Sequence, residues 1–141
     1  MKKMNKKGFT LIELLAVIVI LAIIMVIAVP QILNVIENSR KSAWTSNVKM
    51  IAEGIELGKA TSTSEFSTDK FDINTVCAGT EKDITTDTNF LKVADVSKDD
   101  TTVSCTTNVG EVTVVGKGQF DGQKTATLAC STGSCKITYA E

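Results

Sequence analysis

From Leu14 to Val29 the chain runs for 16 residues without a polar side chain. A helix that is apolar all round must be buried on every side, in a large core or in lipid. A chain of 141 residues offers no core of that size, and in lipid a helix is one of the few ways to satisfy every backbone group. Counted from Phe9 to Val29 the stretch is 21 residues, broken only by Thr10 and Glu13. A membrane-spanning helix needs roughly 20. The eight residues before it, MKKMNKKG, carry Lys2, Lys3, Lys6 and Lys7. Positive charges keep their flank in the cytoplasm, so the remainder of the chain is expected outside. A cleavable secretory signal is the rival reading. It needs a core of roughly 7–15 apolar residues and a small-x-small cleavage site, and Ala28-Val29-Pro30 does not supply one. Neither a signal nor a plain anchor accounts for Glu13. This carboxylate lies one turn into the span with no cationic neighbour in its own helix, at a cost on the order of a few kcal/mol. It asks for a partner.

Helical spacing continues beyond the apolar run. Trp44, Val48, Ile51 and Ile55 recur at steps of four, three and four, one face of an α-helix, with Thr45, Lys49, Glu53 and Glu56 on the other. One helix is therefore expected from near Phe9 to near Gly58, about 75 Å long at 1.5 Å per residue. Its first half suits lipid or neighbouring helices, and its second half suits packing on a domain of its own. Pro30 interrupts it, because proline cannot donate to the carbonyl of Val26 and its ring crowds that turn.

After a polar connector, Thr61 to Thr68, the chain changes character. Short β-like runs are expected at Phe90 to Val96, Thr101 to Cys105, Glu111 to Val115, Thr125 to Cys130 and Lys136 to Tyr139. Gly110, Gly116, Gly118, Gly122 and Gly133 fall between or beside them as turn residues. The gaps are too short for parallel crossovers, so the sheet should be antiparallel. The fold class read from the residues is α+β: a long N-terminal helix, membrane-spanning then amphipathic, packed on a small antiparallel sheet. The domains are a segment 1–8, a helix 9–60 divided at about residue 30, and a β-rich head 61–141.

That head is small, so covalent staples would help it. Its four cysteines, Cys77, Cys105, Cys130 and Cys135, lack the paired ends of a zinc ribbon. An even number beyond an apolar anchor suggests two disulfides and an oxidising compartment. Cys130 and Cys135 bracket a four-residue loop with a glycine and can lie side by side across a hairpin; Cys77 would then take Cys105. Three connectivities exist, and spacing alone does not choose among them.

Other chemistries find little support. Histidine is absent, which removes the commonest general base and metal ligand, and leaves no imidazole to activate a cysteine thiolate. Asp69/Asp72, Asp83/Asp87 and Asp95/Asp99/Asp100 lack the EF-hand pattern and read as solvated turns. Gly116-Lys117-Gly118 is too short for a phosphate loop. Of 15 basic residues four precede Gly8, leaving 11 against 16 acidic ones and a net charge of −5. Nucleic acid, which needs clustered Lys and Arg, is not an expected partner. No enzyme, cofactor or metal site is expected.

Lys-Lys-Gly8-Phe9-Thr10-Leu11-Ile12-Glu13-Leu14 resembles the processing and assembly motif of type IV prepilins and pseudopilins. The similarity runs on through Ala16 to Leu21 and Val29-Pro30, about a third of the chain. The short basic leader and Phe9 resemble the type IVa branch, and the segment up to about Ala43 is similar to pilins of Gram-positive bacteria. The resemblance implies a prepilin peptidase that cuts after Gly8 on the cytoplasmic face and methylates the new amine of Phe9. It implies that Glu13 of one subunit meets the Phe9 amine of its neighbour in a filament, and that the region of Pro30 kinks or melts on leaving the bilayer. Expected partners are identical or related pilin subunits, the peptidase, the assembly machinery and, before assembly, the membrane. The expected product is an extracellular pilus serving adhesion, twitching motility or aggregation. A pseudopilin of a secretion or competence system is the alternative. Secretion pseudopilins usually carry a Tyr-Pro segment after the helix, whereas Pro30 is the only proline here. A monomeric tethered binding domain would have no use for the cleavage motif or for Glu13.

Overall fold

The computed structural model describes residues 9–62, 71–94, 96–131 and 134–141. The basic leader with Gly8, most of the polar connector (63–68), Asp69, Asp95 and Gly133 lie outside the described residues. The chain divides into two units, Met1–Ser39 and Arg40–Glu141.

The first unit is the apolar part of helix α1 (Leu11–Ser62). Val and Ile dominate it, and neither is a strong helix former in water. In an apolar medium the backbone leaves no better choice. The large apolar side chains between Phe9 and Ile36 are 46–83% exposed. The helix continues through Pro30 without a break in its assignment.

The second unit holds the remainder of α1 and a five-stranded antiparallel sheet in the order β1-β2-β3-β4-β5. The strands are β1 (Lys82–Asp83), β2 (Thr101–Cys105), β3 (Glu111–Gly116), β4 (Ala126–Ala129) and β5 (Lys136–Tyr139). Each follows its neighbour in sequence: β2 to β5 through short connections that suit antiparallel pairing, and β1 to β2 across residues 84–100. Alternation places Val103, Val112, Val114, Ala126 and Leu128 inside. The register sets Val103 against Val114 and Val112 against Leu128. These residues form one core with Trp44, Val48, Ile51, Ala52 and Ile55 of α1. The architecture is α+β, a long helix packed with an antiparallel sheet, as in pilins.

Three expectations need correction. Phe90 to Val96 is not a strand: residues Thr88–Ala94 form helix α3. The Asp87 carboxylate accepts from the N–H groups of Asn89 and Phe90 at 2.9 and 3.1 Å, a cap that commits the segment to a helix. Phe90 and Ala94, four residues apart, are the buried face. Helix α1 runs past Gly58 to Ser62, where the hydroxyls of Thr61 and Ser62 bond the carbonyls of Leu57, Gly58 and Lys59. Gly116 is a strand residue: a β-carbon there would collide with the carbonyl of Phe120. Phe120 belongs to a short 3-10 turn, Gly118–Phe120, and its ring lies 5.4 Å from that of Trp44. A four-residue helix α2 (Ile73–Val76), capped by Asp72, was not anticipated.

Candidate functional site: the N-terminal turn and the disulfide-clamped head

The first turn of α1 is closed by two side chains. Thr10 donates its N–H to Glu13 Oε2 at 2.8 Å and its hydroxyl to the same oxygen at 2.7 Å. In return the Glu13 N–H approaches the Thr10 hydroxyl oxygen at 3.3 Å and donates to the Thr10 carbonyl at 3.1 Å. Thr10-x-x-Glu13 is a capping box, in which the N-cap and N3 residues satisfy each other's orphan donors. Sequence reasoning treated Glu13 as a carboxylate without a partner. Its polar partner is Thr10, and the signal was on the page: Thr, two residues, Glu, then an apolar run. No cation meets Glu13 among the described residues. Both Thr10 bonds fall on Oε2, so Oε1 is the atom left to face one. Phe9, 83% exposed, lies immediately before the cap. Pro30 lies 17 residues along α1 from Glu13 and joins no site with it.

In the head, Cys77 is bonded to Cys105 and Cys130 to Cys135, with Cα separations of 5.2 and 4.2 Å. Gly110 ties the two together. Its N–H donates to the Cys77 carbonyl at 3.1 Å, and its carbonyl accepts from the Cys130 N–H at 2.8 Å. The backbone there has φ +70°, and a β-carbon would strike the Asn74 side chain. Helix α1 clamps the Cys130–Cys135 loop from the other side. Lys59 donates to the carbonyls of Cys130 and Ser131 at 3.2 and 2.8 Å, and Glu56 accepts from the Cys135 N–H. Glu56 is therefore not on a free polar face as its spacing suggested. Several aspartates also have local structural partners. Asp72 caps α2, Asp87 caps α3, and Asp100 bonds the Gln119 carboxamide at 3.0 Å. Asp83 accepts from the Thr85 N–H at 2.8 Å. The Thr85 hydroxyl, and after it that N–H, hold the Asp83 carboxyl below the usual aspartate range.

Residues 3–29 match the family model of the prokaryotic N-terminal methylation motif, the type IV pilin and prepilin signature. The motif supports a prepilin-type protein, of the pilin or pseudopilin kind. The motif implies processing by a prepilin peptidase and assembly, and the one helix among the described residues that is long and apolar enough to cross a membrane fits anchoring before it. No curated protein and no solved structure matches the chain.

Proposed function

We propose that the chain is a structural subunit of a type IV pilus. It is cleaved after Gly8, methylated at Phe9, and drawn from the membrane into an extracellular filament for adhesion, motility or aggregation. It is not an enzyme. The observation that carries this reading is the first unit: a helix apolar on every side and exposed along its length, with a carboxylate in its first turn beside the cleavage motif. Lipid covers such a surface in the precursor, and in a filament the matching apolar surfaces of neighbouring copies cover it.

Processing and capping fit together in this scheme. The cut falls between Gly8 and Phe9, so Thr10 and Glu13 both stay on the mature chain and the capping box survives. The same cut creates a cation at Phe9, one residue before the cap. Glu13 Oε1 of one subunit then meets the Phe9 amine of another, which makes the pair a register device. The chain has only Pro30, with no Tyr-Pro segment after the helix, which favours a pilus over a secretion pseudopilus.

Surface filaments are sheared from cells that express the protein, imaged by negative stain, and their subunits weighed by mass spectrometry. The expected result is filaments built of chains that start at methylated Phe9. A different N-terminus, or filaments without this chain, would sink the proposal.

A further inference from the structure

Between Glu13 and Glu37 only two side chains of α1 are polar, Gln31 and Asn34, and Asn38 follows within the next turn. All three are carboxamides, and all three are exposed. They belong to the first unit. Steps of three and four put them on one face of the helix. That face also carries Glu13, because Glu13 and Gln31 lie 18 residues apart, about five whole turns at 3.6 residues each. The helix is unbroken over that length, so the alignment is kept. Apolar neighbours surround the carboxamides: Ile32, Leu33, Val35 and Ile36 are 46–67% exposed.

Parallel helices that share one axis all turn the same face toward it, and a polar residue on that face selects one register among those that apolar packing would accept. The kind of side chain identifies the occupant. A carboxamide both donates and accepts, so it pairs with a copy of itself; a carboxylate or an ammonium does not. The spacing agrees. Setting Glu13 beside a neighbour's Phe9 offsets two helices by four residues, about 6 Å. The same offset sets Asn38 level with the neighbour's Asn34, and brings Asn34 within one residue, about 1.5 Å, of the level of Gln31. We propose that Gln31, Asn34 and Asn38 form a carboxamide ladder with the same residues of a second copy, a second register device about five turns along from Glu13. The ladder rests on the pilus reading and adds to it which face of α1 turns inward, and at what offset.

Asn34→Cys and Asn38→Cys subunits are expressed together and singly, and filaments are separated from the membrane pool. Mild oxidation is followed by mass spectrometry of unreduced peptides. A disulfide needs Cα atoms within about 7 Å. The expected result is a link between position 34 of one copy and position 38 of another, in filaments and not in the membrane pool, well above any same-position link. Asn38→Leu is uncharged and should lower incorporation against wild type about threefold for each interhelical bond lost. Asn38→Gln keeps the carboxamide and should stay closer to wild type. Wild-type filaments beside mixed subunits that give no 34–38 link would overturn the ladder and leave the pilus reading standing. Same-position links of equal yield, or wild-type incorporation of Asn38→Leu, overturn it too. Loss of Asn38→Leu from the membrane pool itself assigns the carboxamides to the bilayer surface and also overturns it. If the wild type makes no filaments, the pilus reading fails first and takes the ladder with it.

Discussion

Glu13→Ala and Thr10→Val separate the two roles that the first turn combines. Alanine removes the oxygen that holds the Thr10 N–H at 2.8 Å and its hydroxyl at 2.7 Å. In the membrane-bound monomer this is a lost cap, worth about 1 kcal/mol. The helix is otherwise no less apolar, so insertion and cleavage should proceed normally. In the filament the loss is larger. The Phe9 amine of a neighbour is left without its counter-charge, at roughly 3–5 kcal/mol, or about two to nearly four powers of ten in the equilibrium for adding a subunit. Thr10→Val keeps the carboxylate and the backbone N–H at residue 10 and removes only the hydroxyl. Its cost stays near the cap's value, about fivefold. The assay compares sheared filaments with the processed membrane pool by quantitative mass spectrometry, each variant expressed alone and then mixed with wild type. Glu13→Ala should leave a full membrane pool and almost no filament, and Thr10→Val a modest deficit. Wild-type incorporation of Glu13→Ala would make the carboxylate a bystander and refute the pairing. Equal severity of the two variants would show that assembly reads the cap and not the charge.

Gly8→Val places a side chain beside the scissile bond and should leave the precursor uncleaved in the membrane, read as an intact leader mass. Replacing Cys77 and Cys105 together by serine opens a loop with a sequence separation of 28 and should lower stability by about 3–4 kcal/mol on the chain-entropy model. Opening the Cys130–Cys135 loop, separation 5, should cost about 2 kcal/mol; equal losses in urea unfolding would contradict this order. Gly110→Ala forces a β-carbon into a left-handed backbone and should cost at least about 1–2 kcal/mol, seen as a lower urea midpoint with both disulfides intact. The folded Asp83 carboxyl ionises more readily than the unfolded one, so its contribution is complete above the unfolded value of about 3.9 and is lost as pH falls through the lower folded value. Asp83→Asn should therefore lower stability modestly at neutral pH and flatten the acid limb, the two curves converging as pH falls below the folded value. An unaltered acid limb would remove Asp83 from the account.

What could be read from the letters followed the range of the interactions. The anchor was legible because its signal is cumulative: 16 apolar residues in a row leave a helix as the way to hide both side chains and backbone. The amphipathic face Trp44/Val48/Ile51/Ile55 was legible for the same reason, and those four side chains are in the core. The middle strands alternate cleanly and fell within a residue of their expected ends. Residues 88–94 misled because period-two and period-four readings compete over seven letters, and the deciding vote was one aspartate outside the apolar run. The clamp by Glu56 and Lys59 joins residues 71 or more apart, and no local pattern encodes such a pairing.

Thr10 is the instructive miss, since its signal was local and still went unread. Once Glu13 is seen as a carboxylate in lipid, its cost draws the eye to charge and to a distant cation. The capping box answers the nearer question of which donors it satisfies within its own turn. Under the proposed pairing the two answers are compatible, because the Thr10 bonds use only Oε2. Oε2 is engaged with Thr10, and that bond orients the carboxylate. Oε1 is then presented from a preset position, so a neighbour's amine meets an acceptor that need not be reoriented on arrival. Preorganisation of this kind lowers the entropy lost on association.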